Sequence, residues 1–388
     1  MPEAKKLVHP LEPVFDENSR VLVLGSFPSP KSREFGFNYG HPQNRFWRVM
    51  AELFDEPFAA TKERRRDFVL RHHMAFWDVL ASCTIEGASD TSIRDAVPND
   101  FSPILEAAPI EAVFCTGAKA AELYKRLCEA GTGIPCIKLP STSPANAAMK
   151  LDALVEAYRA MLPHLHEWQP PILDVAKVVE LEHIIDAAGT PLAELMQRAG
   201  IALAHRVHAL ASNARVVVLC GSGNNGGDGW VAACELLDAG HGVCLVTPRP
   251  AEELRAQPAH DAAVAAQAYL EAKGAQILVD PGQAELQKEL DSAGIIVDAI
   301  LGTGFSGATV KEPYASWIDA ANTAHEQRAL VVAADVPSGL SAQTGQTAKH
   351  CIVADHTVTM IVPKPGLASA KAGRVHVAPL AYIEPFFA

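Results

Sequence analysis

The chain predicts two α/β domains, each a three-layer αβα arrangement: a small parallel-sheet domain over residues 1–162, then a larger, Rossmann-like, doubly wound domain over 172–388. Three observations carry this. The 388 residues exceed the usual size of a single core. Short apolar runs alternate with helical periodicity on both sides of residue 163. Between them, Pro163-His-Leu-His-Glu-Trp-Gln-Pro-Pro171 holds three prolines and no periodicity, which reads as a linker over 163–171.

In the first domain the first strand is Arg20–Gly25, followed by a Pro-, Ser- and Gly-rich loop to Gln43. A helix starts near Asn44 and carries Phe46, Trp47, Val49, Met50, Leu53 and Phe54. Lys62–His72 reads as a helix, Ala75–Leu80 as a strand or its approach, and Ile110–Cys115 as a strand leading to a helix from Ala118. Cys136–Leu139 is a further strand, and Ala147–Leu162 closes as an amphipathic helix. The second domain opens with a long helical segment. Strands follow at Val216–Cys220, Val243–Val246, Gln276–Val279, Ile295–Asp298, Leu330–Ala334 and Thr357–Ile361, with helical stretches between.

Composition narrows the chemistry. With 49% hydrophobic and 20% charged residues the chain is globular. No apolar run approaches the roughly 20 residues that cross a bilayer, so a membrane partner is not expected. Met1–Lys6 has no apolar h-region behind it, and none of the eight cysteines forms a C-x-x-C pair; a reducing cytoplasm is the expected location, and zinc and iron–sulfur sites are disfavoured. Residues 1–162 carry 19 Lys and Arg against 21 Asp and Glu, while the rest carries 14 against 24. The first domain is therefore the better candidate for touching a polyanion through a local basic face. Lys62-Glu-Arg-Arg-Arg66 reads as a solvated helix face before it reads as a DNA contact.

Three strands of the second domain end in oxygen-bearing turns. Gly221-Ser-Gly-Asn224-Asn225-Gly226-Gly227-Asp228-Gly229 follows the first, Asp298 to Gly307 ends another, and Asp335-Val-Pro-Ser338-Gly339 ends a third. Ligands bind beyond the carboxyl ends of parallel strands, so these turns converge on one site. Gly221, Gly223 and Gly226 match G-x-G-x-x-G, but the next strand runs into Pro248-Arg249-Pro250 without the acid that a redox dinucleotide site needs. The amides and Asp228 add oxygens suited to a cation or a polar ligand. Taken singly, Asp298 reads as a turn cap and Ser338 as part of an ordinary turn.

With Leu195–Gly200, Gly223–Gly229, Asp298–Gly304 and Asp335–Leu340, this domain resembles the NAD(P)H-hydrate epimerases, the YjeF N-terminal type. The resemblance implies interconversion of the R and S epimers of hydrated NADH or NADPH. It also implies a potassium ion with Asn225, Asp298 and Ser338 as ligands. Asn224, Asn225, Gly226, Gly227 and Asp228, the run Gly302, Thr303, Gly304, Phe305, Ser306, Gly307 and Ala308, and Asp335 would line the substrate site. Epimerisation needs proton transfer, for which Asp335 is the assigned carboxylate. Ser341-Ala-Gln-Thr-Gly345 departs from the family's Asn-Ala-Asp-Thr-Gly. The kinase-like dehydratase module often fused behind such domains is absent from this sequence, so a separate ATP- or ADP-dependent dehydratase is the expected pathway partner, and a homodimer is the usual assembly. A non-catalytic scaffold is the alternative.

In the first domain Leu24–Ser29, Tyr39–Trp47 and Leu139–Asn146 stand out, and His41, Asn44, Arg45 and Trp47 combine groups that base excision uses. Phe46 and Trp47 read as core, His41 equally as a turn residue, and Asn44 taken alone as a helix N-cap, for which an amide is strongly favoured. The set resembles the uracil-DNA glycosylase superfamily, especially its hypoxanthine-DNA glycosylase branch, over residues 8–162. Phe27 stands where the mismatch-specific branch carries its catalytic Asn, which moves the catalytic amide to Asn44 and makes Phe27 a stacking candidate. Ser141, Ser143 and Asn146 would lie in the loop that enters the minor groove, with His41 near the base. The implied partner is DNA containing deaminated bases; uracil or thymine excision is the alternative.

Overall fold

The computed structural model describes residues 5–87, 89–166 and 168–387. Met1–Ala4, at the start of the expected first domain, and Glu167 in the expected linker lie outside the described residues. The chain divides into two compact units, Met1–Gln169 with Tyr382–Ala388, and Pro170–Ala381.

The first unit is built on a four-stranded parallel sheet in the order Met74–Asp78, Val21–Gly25, Ala112–Thr116, Cys136–Leu139. Alternate residues feed opposite faces, as the strand period of two requires. Val21, Val23, Phe76 and Phe114 join Phe46, Trp47 and Tyr158 in one cluster; Leu22, Leu24, Ala75 and Val113 join Phe101 and Tyr124 in the other. Phe46 and Trp47 are therefore core residues, 0% and 1% exposed.

Four details depart from the sequence reading. A second, antiparallel sheet pairs Lys5–Val8 with Leu80–Ile85 and Leu80–Ile85 with Arg94–Pro98. No residue of Arg94–Pro98 is buried, so it has no apolar signature in sequence. The last helix is shorter than Ala147–Leu162: Leu151–Tyr158 is α-helical and Arg159–His164 tightens to a 3₁₀ turn, while Asn146 Nδ2 donates to Ser141 O and holds the preceding turn. Within Lys62–Arg71, Arg65 is only 6% exposed, its guanidinium 4.3 Å from the Phe35 ring centroid and 4.9 Å from that of Trp47. Burial lowers its pKa to about 10. Finally, Tyr382–Ala388 belongs to the first unit and not to a domain running to 388. Asn18 Nδ2 donates to the Tyr382 hydroxyl, that hydroxyl donates to Asp16, and His73 Nε2 lies 2.7 Å from Glu384.

The second unit is a seven-stranded sheet, parallel throughout, in the order Gln276–Val279, Val243–Thr247, Val216–Cys220, Ile295–Ala299, Leu330–Ala334, His356–Met360, Arg374–Ala378. Chain order runs outward in one direction from Val216–Cys220 and in the other from Ile295–Ala299, so the topological switch point lies between them. The edge strand Arg374–Ala378, with mostly half-buried side chains, adds to the six runs legible in sequence. No helix among the described residues is long and apolar enough to cross a membrane. Limited proteolysis is expected to cut within 163–171 and give two protease-stable fragments on a denaturing gel. A protected full-length chain would contradict two independent units.

Candidate functional site

The switch point of the second unit opens into a cleft of about 750 Å³. Its wall includes Ser222, Gly223, Asn224, Asn225 and Asp228 from the turn after Val216–Cys220 and the helix Asn224–Asp238. The first turn of that helix has N–H groups with no intrahelical acceptor, which favour an anionic ligand. Gly221 and Gly226 serve close packing: a Cβ on Gly221 would meet Ile300 O at 1.9 Å, and one on Gly226 would meet Gly221 O at 1.9 Å. Gly226 and Gly227 lie buried beneath the surface, whereas Gly223 faces open space.

Two side chains converge on one peptide, and a third holds one of them. Asn225 Nδ2 donates to Leu301 O at 3.1 Å, Ser338 Oγ lies 3.3 Å from the same oxygen, and Leu301 N–H donates to Ser338 Oγ at 2.8 Å. Asp298, at the end of Ile295–Ala299, is fully buried and accepts from Ser338 Oγ at 2.6 Å and from Ser338 N at 2.7 Å. Burial pushes its carboxyl up to about 6 despite those hydrogen bonds. Asn225 Oδ1 is buried and has no partner within the protein. An orphan amide oxygen beside a buried carboxylate and a hydroxyl is a hard-oxygen donor set, and a monovalent cation fits it. Among the described residues no group of three or more His, Cys, Asp or Glu is arranged to hold a metal ion.

Gly302, Thr303, Gly304 and Phe305 continue the wall, while Ser306, Gly307 and Ala308 are exposed beyond it. Asp335 follows Leu330–Ala334 in the left-handed region, φ 62°, a strained conformation for a residue with a Cβ. Its Oδ1 accepts from Lys364 Nζ at 2.5 Å, Thr359 Oγ1 at 3.3 Å and Met360 N at 3.1 Å. Glu182 and Asp228 share the cleft with it. Burial first, then Asp335, pushes both carboxyls up, and Lys364 opposes this. Lys364, Thr359 and Glu182 belong to none of the motifs legible in sequence. Lys364 carries the one usable signal, a lone cation in the apolar run Ile361-Val-Pro-Lys-Pro365.

In the first unit the candidate residues are mostly tied into turns. Asn44 Oδ1 accepts from Phe46 N and from Thr142 Oγ1, each at 2.9 Å, so the amide holds the turn entering the helix Phe46–Phe54, whose N-cap is Arg45, one residue later than expected, and its orientation is set. His41 Nδ1 accepts from Gln43 N at 3.1 Å. Ser141 Oγ accepts from Ser143 N, and Ser143 Oγ from Ala145 N. Arg45 clamps this loop, donating to the carbonyls of Ser143, Asn146 and Met149. Phe27 is 8% exposed, with His9 edge-on at 5.7 Å and the Arg33 guanidinium 5.9 Å from its centroid, so its ring is largely enclosed. Asp78 Oδ2 lies 2.9 Å from His9 Nε2 and accepts from Asn38 Nδ2 at 2.9 Å. His9 Nδ1 accepts from Leu11 N, which leaves Nε2 to carry the proton toward Asp78.

Residues 192–366 match the family described as YjeF-related protein N-terminus, and residues 12–162 match the uracil DNA glycosylase superfamily. The NAD(P)H-hydrate epimerase of Rhodopirellula baltica is 37% identical over 187 residues, covering 47% of this chain and 72% of that protein. The bifunctional NAD(P)H-hydrate repair enzyme Nnr of Escherichia coli is 41% identical over 199 residues, 49% of this chain but only 35% of that one. The chain thus spans about a third of the length of such bifunctional relatives. A solution NMR structure from Methanosarcina acetivorans, described as a candidate uracil DNA glycosylase, is 31% identical over 39% of this chain and 94% of that one, with a TM-score of 0.35. The second unit therefore places the chain in the NAD(P)H-hydrate epimerase family, and its first unit is a uracil DNA glycosylase superfamily domain.

Proposed function

We propose that the second unit interconverts the R and S epimers of hydrated NADH or NADPH. The observation that carries this reading is the single cleft lined by a helix N-terminus, by Asn225 of the buried oxygen cluster and by a strained carboxylate. The hydrated ring carbon bears a hydroxyl and the ring nitrogen. Inversion proceeds when Asp335 takes the hydroxyl proton, the C–O bond becomes a carbonyl, and the C–N electrons pass to nitrogen, which is protonated. Rotation and reclosure on the other face reverse each transfer, with no net redox change. Asp228 and Glu182, whose carboxyls are pushed toward the protonated form, are the acids at hand. A potassium ion held by Asn225, Asp298 and Ser338 would supply fixed positive charge in a cleft lined by carboxyl groups. The donor set also weighs against a non-catalytic scaffold. A hydrate dehydratase as pathway partner and a homodimeric assembly complete this proposal.

Replacing potassium by lithium at constant ionic strength is expected to slow the wild-type reaction and lower its melting temperature by several degrees, since a ligand bound only to the folded state stabilises it. Asn225→Ala and Asp298→Asn should lose the potassium response of the melting temperature. An unchanged response would remove this cation site.

For the first unit we infer excision of deaminated bases from DNA, with hypoxanthine the favoured substrate. The superfamily match and the absence of an amide at Phe27 support it. An oligonucleotide panel carrying hypoxanthine, xanthine, uracil and thymine mismatches tests the reading. Cleavage at hypoxanthine alone supports it; cleavage at uracil or thymine alone favours the other branch.

A further inference from the structure

Among the described residues, Lys364 is the most deeply buried cation of the second unit that the proposed reaction has not used, 2% exposed overall. Its position follows from the chain: His356–Met360 ends at the same sheet edge as Leu330–Ala334, and Ile361-Val-Pro363 turns the backbone so that Lys364 points back under both strand ends. All three ammonium donors are taken. Nζ donates to Asp335 Oδ1 at 2.5 Å, to Met360 O at 2.8 Å and to Thr359 Oγ1 at 3.0 Å. A fully bonded ammonium has no lone pair or free proton to offer a substrate, so Lys364 is not itself an acid or a base in the reaction. What it does is geometric and electrostatic. Asp335 Oδ1 receives three hydrogen bonds, from Lys364, Thr359 and Met360, which commits that oxygen to the protein. Oδ2 is left for the cleft that Asp335 lines.

We propose that Lys364 is the positioning residue of the epimerase site: it pins Asp335 in its left-handed backbone conformation, with Oδ1 held and Oδ2 presented to the hydrated ring. This rests on the epimerase reading of the same cleft. Lys364 also sets the charge balance there. Glu182, Asp228 and Asp335 are the carboxyls that face one another across the cleft, His183 borders it, and Lys364 is the ammonium that opposes them. Without it, these three acidic groups would face one another with no ammonium among them.

The test uses the intact chain and both hydrated epimers. Lys364→Met keeps the length of the side chain and removes charge and donors. It is expected to lower kcat on the order of 10²-fold, the scale of a misplaced catalytic group, with KM changed less than about threefold. The acid limb of its rate profile should move to higher pH, because loss of a neighbouring positive charge favours the protonated carboxyl. A merely structural lysine predicts fewer folded molecules with unchanged kcat per folded molecule and an unchanged profile, and that result overturns the proposal. Thr359→Val supplies the second variant should Lys364→Met not fold. It removes the hydroxyl shared by Asp335 and Lys364 without changing charge, and a kcat loss of about tenfold with the pH profile kept is expected. Full kcat in Thr359→Val, where Lys364→Met is unfolded, counts against positioning. A wild-type chain that leaves the epimers unconverted takes away the reaction and this role with it, whereas an active wild type with indifferent variants overturns the role alone.

Discussion

Asp335→Asn is expected to lower epimerisation by about 10²- to 10⁴-fold, the contribution of one positioned acid or base. The amide keeps the shape and still accepts at one oxygen, so the strained backbone and the Thr359 and Met360 hydrogen bonds have a partner. It has no accessible pKa near neutrality and cannot take the hydroxyl proton. The substitution also leaves Lys364, 1% exposed at its side chain, without its carboxylate. Breaking a buried pair from one side costs about 3–5 kcal/mol of stability. The two effects separate when rate is divided by folded fraction, measured on one preparation by circular dichroism. A loss that vanishes on that correction would make Asp335 a structural residue.

Asn44→Ala carries the second large effect. Base excision is expected to fall by at least about 10²-fold, as when one oriented group is removed from a site, while DNA binding stays nearly unchanged. The competing role is visible in the structure: Asn44 Oδ1 accepts from Phe46 N and Thr142 Oγ1. As a helix cap alone it would cost about 1 kcal/mol and leave turnover intact in the folded protein. With Oδ1 filled by those two donors, the Nδ2 protons are what Asn44 has to offer a water or a sugar. Excision and melting temperature measured together decide the matter. Full excision in a slightly less stable protein would assign catalysis elsewhere, and the buried Asp78 beside His9 and Asn38 is then the next residue to replace.

Much of the second unit was legible because local chemistry and topology agree there. Val216–Cys220 is an unbroken apolar run and Ile295–Ala299 is broken only by Asp298; both are fully buried, and a polar turn lies close behind each. That Asn225 and Ser338 meet at the Leu301 peptide, with Asp298 holding Ser338, follows once those strands and Leu330–Ala334 are neighbours. The functions of the glycines were less legible. Gly221 and Gly226 match a glycine pattern of dinucleotide sites, yet they bring backbone against backbone. Lys364 was hidden because its carboxylate partner lies 29 residues earlier and meets it only through the pairing of two strands. In the first unit Arg65 passed as surface because neighbouring arginines mask a buried one, and only its aromatic contacts reveal it. The tail Tyr382–Phe387 has no periodicity that would assign it to residues more than 300 positions away.

Interconversion of the two epimers is the decisive measurement on the second unit. Pure R and pure S hydrates of NADH and of NADPH, each incubated with the intact chain in potassium buffer, are followed by chiral separation against a control without protein. Each pair is expected to relax to the same epimer ratio from either side, far faster than the control, with no change in the total amount of hydrate. Relaxation at the control rate from both sides would contradict it.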